Sequence, residues 1–158
     1  MPLKAWTCDV CGEPVTSDPN DGLVVWRSEP YDQGDRDYDF KIVHKTILSD
    51  PEPRLCDPGS KRGYSGNLDL TLFLGADGLA LLLSWLSPGP MQGGTNAPRV
   101  VNMDQFVDFV RRVQTPYYEE ARTRFADDQT HHWLGDANEY APYLPETLQK
   151  IADGTLGR

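Results

Sequence analysis

The chain has 158 residues and a formal net charge of −9. Split at residue 64, it carries 8 Lys+Arg against 12 Asp+Glu before the cut and 7 against 12 after it, so neither half offers the basic face that nucleic-acid binding draws on. At 39% hydrophobic and 25% charged, the composition is that of a folded chain, not a disordered one.

The opening Met1-Pro2-Leu3-Lys4 has no apolar h-region behind it, so no secretory signal is expected. Leu79 to Leu86, broken by Ser84, is the longest apolar run and is far shorter than the roughly 20 residues of a membrane helix, so no membrane is expected. Three cysteines is an odd and low number, which points to a reducing cytoplasm with thiolates free for metal.

Cys8-Asp9-Val10-Cys11-Gly12 is a C-x-x-C-G knuckle. Its spacing lets two thiolates reach one tetrahedral ion from a tight turn, and Gly12 leaves room where the backbone curls round sulfur. A thioredoxin-type redox motif shares the C-x-x-C but opens a helix, which Gly12 and Pro14 oppose. Asn20-Asp21-Gly22 signals a turn, followed by two β-like runs, Leu23–Arg27 and Tyr38–His44, the second alternating at period two. The acidic stretch from Tyr31 to Asp37 reads as a long solvated loop joining them.

The remaining candidate ligands of this segment are Cys56, in a proline-bounded loop, and His44, at a strand end. Structural zinc wants four N/S donors, so Cys8, Cys11, Cys56 and His44 make a Cys3His set. Asp57, a water that would open the site, or His131 or His132 from the distal part, are the alternatives for the fourth position. On these residues, segment 6–56 resembles zinc-ribbon and zinc-knuckle modules. It departs from them in that His44 and Cys56 are well separated, not a close second pair. The resemblance implies a zinc ion in a structural role.

Arg54, Lys61 and Arg62 form a small basic cluster about Cys56, read as a solvated loop. The glycine-rich stretch 59–66 lacks the spacing of a phosphate-binding P-loop and reads as a hinge. Residues 67–74 alternate and suit a third strand, with a helix as the alternative. Residues 79–86 suit a helix capped by Asp77. Residues 103–114 suit a helix capped by Asn102, with Met103, Phe106, Val107, Val110 and Val113 on its apolar stripe. Thr115-Pro116 reads as the start of another helix and 145–152 as a last one.

The fold expected is therefore α+β: a zinc-bound β-hairpin module over 1–64 and a helical part of about four helices over 65–158. The function expected is a non-enzymatic, cytoplasmic interaction or regulatory module with a protein partner. Two other readings stay open. His131, His132, Asp127 and Asp128 lie close enough in sequence to serve a metal-dependent hydrolase, although adjacent histidines on a helix point about 100° apart. Helices 102–127, with Arg111, Arg112, Arg122 and Arg124, can be read as a helix-turn-helix, which the acidic balance opposes.

Overall fold

In the computed structural model, which describes residues 3, 5–15, 18–32, 34–92 and 98–158, the fold is built on an antiparallel hairpin. Strand β3 (Gly22–Tyr31) pairs with β4 (Gly34–His44) from Gly22↔His44 to Tyr31↔Gly34. The hairpin is longer than the two apolar runs suggest. The acidic stretch pairs as strand instead of looping out, because its charges meet partners across the ladder. Arg36 Nη2 donates to Glu29 Oε1 at 2.8 Å and Ser28 Oγ to Asp37 Oδ1 at 2.6 Å.

β5 (Gly66–Asp69) adds to the other side of β3, giving the order β4-β3-β5. Only the first half of 67–74 is strand; Leu70–Phe73 turns into a 3-10 helix that buries Leu70 and Phe73. Gly66 is required here, since a Cβ would fall 2.0 Å from the Trp26 indole. A second, two-stranded sheet pairs β1 (Trp6–Thr7) with β2 (Pro14–Val15) and carries the knuckle between its strands.

Helices α1 (Gly75–Leu86) and α2 (Met103–Gln114) supply the rest of an aromatic core. Phe40 of the sheet stacks on Phe109 at 5.1 Å, Trp26 meets Trp85 edge-on at 5.5 Å, and Phe73 stacks on Trp85 at 6.1 Å. Trp85 Nε1 also donates to Asp37 Oδ2 at 2.7 Å, which satisfies its polar end. Asn102 caps α2 as expected, its Oδ1 accepting from Gln105 N–H at 3.0 Å, whereas α1 begins before Asp77 and its N-cap is Leu74. The expected loop before Arg99 lies in part outside the described residues.

The buried side of α2 is Phe106, Phe109, Arg112 and Val113, while Met103 is exposed and Val107 and Val110 are half-buried. The stripe is thus rotated from the expected one. Burying the larger Phe109 removes more apolar area than burying Val110, and Arg112 tolerates the interior because it is ion-paired there.

Among the described residues the fold is α+β, with two antiparallel sheets and five α-helices. The chain divides into the units Ala5–Gln114 and Thr115–Arg158. The expected boundary at residue 64 falls inside the first unit, where β5 completes the sheet. The second unit holds α3 (Tyr118–Arg122), α4 (Asp128–Leu134) and α5 (Pro145–Asp153) around Tyr118, Ala121, Leu148 and Ile151. Helix α3 is shorter than Thr115-Pro116 suggested, because Tyr117 takes a left-handed conformation at φ 66° and delays its start.

Candidate metal centre

The knuckle forms because its turn is closed by its own backbone. Gly12 N–H donates to the Cys8 carbonyl at 2.9 Å, and Cys8 N–H to the Glu13 carbonyl at 2.9 Å. Gly12 sits at φ 76°, the left-handed region where a side chain is strained. The two sulfurs are presented from this turn rather than from a helix. β4 runs alongside and ends at His44, and the loop that follows returns with Cys56.

Among the described residues, Cys8, Cys11, His44 and Cys56 bring four ligand atoms within 4.8 Å of one another, so the cluster can hold a metal ion. Cys8, His44 and Cys56 are buried and Cys11 is exposed. His44 Nδ1 lies 3.4 Å from Cys11 Sγ and 3.7 Å from Cys56 Sγ. A tetrahedron with metal–sulfur bonds of about 2.3 Å and metal–nitrogen bonds of about 2.05 Å has S–N edges of about 3.6 Å. Both separations therefore fit the edges of such a site.

The other face of the imidazole decides which nitrogen is free. His44 Nε2 lies 3.0 Å from the Pro14 carbonyl, which can only accept, so Nε2 carries the hydrogen and Nδ1 keeps its lone pair toward the sulfurs. Arg54 Nη1 is 3.4 Å from the same Nε2. With Nε2 already a donor, that approach is not a hydrogen bond, and Arg54 acts there as a nearby positive charge.

The thiols respond to this crowding in opposite ways. Burial pushes the Cys56 thiol up to about 12, reinforced by Cys11 and Cys8 beside it. At Cys11, exposed as a residue, desolvation by its close neighbours also opposes ionisation, but hydrogen bonds involving the Glu13 backbone, Cys8, Cys56 and Arg54 outweigh it and hold the thiol below its ordinary value. Three thiolates at this spacing repel one another, and a cation among them removes that obstacle.

Residues outside the cluster hold the knuckle in place. Asp9, between the two cysteines, binds the free edge of β4. Its N–H donates to the Ile42 carbonyl at 2.8 Å, and its Oδ2 accepts from Ile42 N–H at 2.7 Å. The same oxygen takes Arg112 Nη1 at 2.7 Å, while Arg112 Nη2 donates to the Thr7 carbonyl at 3.0 Å. Trp6, itself buried, donates from Nε1 to the Arg112 carbonyl at 3.1 Å. Asp9 and Arg112 were not singled out by sequence as a pair, and 103 residues separate them. The one available sign was a carboxylate lodged inside C-x-x-C.

His131 and His132 lie in the last turn of α4 and are exposed, with the His132 ring edge-on to Trp133 at 5.5 Å. Among the described residues, neither they nor Asp127 and Asp128 join a group of three ligand atoms able to hold a metal. Of the arginines considered as phosphate contacts, Arg112 is buried on Asp9, and Arg122 lies 3.5 Å from Glu119. Comparison with known proteins finds no family model, curated protein or solved structure that matches the chain. Among the described residues, no helix is long and apolar enough to cross a membrane.

Proposed function

We propose that the chain is a non-enzymatic interaction or regulatory module whose scaffold is a structural zinc ion, held by Cys8, Cys11, His44 and Cys56 in the manner of zinc-ribbon and zinc-knuckle modules. The observation that carries the reading is the approach of His44 Nδ1 to two of the three sulfurs at 3.4 and 3.7 Å, with all four donors within 4.8 Å. Three soft thiolates and one imidazole suit zinc far better than a hard cation such as magnesium or calcium. Four protein donors complete a tetrahedron and leave no position for water or substrate, which favours scaffold over catalyst.

The scaffold role follows from what the donors join. Cys8 and Cys11 lie on the knuckle, His44 ends β4, and Cys56 lies in a loop with few buried side chains of its own. A shared ion ties that loop and the knuckle to the sheet, and its binding energy becomes folding energy. A reducing compartment such as the cytoplasm keeps the cysteines available as thiolates.

Protein purified without chelator should contain about one zinc per chain. Cys8→Ser should lose the metal and unfold the knuckle around Trp6, as followed by metal analysis and tryptophan fluorescence. Full retention of both zinc and stability in that variant would overturn the reading.

A further inference from the structure

The four donors of the metal centre differ in access. Cys8, His44 and Cys56 are buried, whereas Cys11, at the end of the knuckle turn, is exposed. A thiol bound to a metal is held as thiolate, and three thiolates more than balance a divalent ion, so their sulfurs keep electron density to give. The cysteine that solvent reaches first is Cys11.

A second sulfur stands close behind it. Cys8 and Cys11 flank one hydrogen-bonded turn, closed by Gly12 N–H on the Cys8 carbonyl at 2.9 Å. Such a turn keeps the Cα atoms of residues three apart within about 7 Å, a span that a disulfide can bridge. The two sulfurs lie within 4.8 Å of each other. Asp9 ties this turn to Ile42 and Arg112 through bonds that do not involve the metal. Cys56 is held differently. Its loop is exposed from Ile47 to Glu52 and again at Arg54 and Leu55. Two of the loop's hydrogen bonds close on the loop itself: Thr46 Oγ1 donates to the Arg54 carbonyl at 3.0 Å and Asp50 N–H to the Ile47 carbonyl at 3.1 Å. A shared ion therefore does more to place Cys56 than to place Cys8.

We propose that Cys11 is a peroxide-reactive modification site whose oxidation closes a Cys8–Cys11 disulfide, expels the zinc and frees the 45–56 loop. The inference rests on the zinc reading above and adds the regulation of that site. The Cys11 thiolate attacks one oxygen of hydrogen peroxide. The S–O bond forms, the O–O bond breaks, and hydroxide leaves with its electron pair. The Cys8 thiolate then attacks the sulfur of the resulting sulfenic acid, so that the S–S bond forms, the S–O bond breaks and a second hydroxide leaves. Two thiolates give up two electrons in all, and one peroxide takes them. Only His44 and Cys56 then remain as donors, two where structural zinc needs four, and they release the ion. A dithiol reductant returns the two electrons and regenerates the site.

The test treats the full-length, zinc-loaded protein with equimolar hydrogen peroxide. A chromogenic chelator follows released zinc, and peptide mass mapping after alkylation locates the disulfide. Limited trypsin digestion reads the loop, which offers a cleavage site after Arg54. Zinc should leave at about one ion per disulfide formed, and Cys56 should remain open to alkylation. Cleavage after Arg54 should quicken at least about tenfold, since proteolysis follows the population of the open form. Dimedone, which traps sulfenic acid, should label Cys11 ahead of Cys8 and Cys56. Dithiothreitol with added zinc should restore slow cleavage.

Zinc retained in peroxide overturns the proposal. So does a disulfide that includes Cys56, first labelling of another cysteine, or zinc release with no quickening of cleavage at Arg54. Zinc content before peroxide separates the two readings. Protein that never held zinc fails the zinc reading, whereas zinc that is bound and unmoved by peroxide fails this inference alone.

Discussion

Arg112→Met tests whether the knuckle depends on the helix behind it. Arg112 is 3% exposed as a side chain and Asp9 21%. Methionine keeps most of the arginine stem's volume but removes the charge, leaving Asp9 Oδ2 without its 2.7 Å partner and the Thr7 carbonyl without its 3.0 Å donor. Removing one member of a buried ion pair typically costs about 3–5 kcal/mol. Asp9 retains some solvent and its bond from Ile42 N–H, so about 3 kcal/mol is expected, the low end of that range.

For a unit of this length such a loss lowers Tm by roughly 10 °C. Urea denaturation followed by tryptophan fluorescence reads the stability, and competition with a chromogenic chelator reads zinc affinity, which should fall in parallel. Asp9→Asn/Arg112→Met should recover part of the loss, because no unpaired charge is left behind. A single mutant within about 0.5 kcal/mol of wild type, or no coupling in the double-mutant cycle, would show that the knuckle does not depend on the Asp9–Arg112 pair.

His44→Ala should abolish tight zinc binding, while His131→Ala/His132→Ala should leave it unchanged. If only the double variant loses affinity, measured by the same competition, the fourth donor has been misassigned. Phe109→Ala should cost about 3–5 kcal/mol in chemical denaturation, since it removes a core ring 2% exposed and stacked on Phe40 at 5.1 Å; a near-neutral result would contradict the aromatic core described above.

The knuckle was legible because its information is local: two cysteines at fixed spacing and a glycine that the turn requires at φ 76°. Cys56 and His44 were reachable by counting donors, although 12 residues separate them. Arg112 was not legible. A charged residue in an amphipathic helix normally marks the solvent side, and it is partners distant in sequence, Asp9 and the Thr7 carbonyl, that make its burial tolerable. That single residue also misaligned the apolar stripe of α2, since Phe109 fell on the side Arg112 had marked as polar.

The acidic stretch of the hairpin misled for a related reason. Charges at Asp35, Arg36 and Asp37 suggested a loop, yet cross-strand pairing with Glu29 and Ser28 holds them in a strand. In the second unit, the positive φ of Tyr117 overrode the helix start that Pro116 favours. The leucine run of 79–86 reads in sequence as a helix too short to cross a membrane. That it feeds two faces of one helix required the burial pattern.

The most direct test of the metal centre is X-ray absorption at the zinc edge on the full-length protein purified without chelator. The first shell should hold three sulfurs at about 2.3 Å and one nitrogen at about 2.0–2.1 Å, with no oxygen. A shell containing oxygen and fewer than three sulfurs, or protein that carries no zinc, would contradict it.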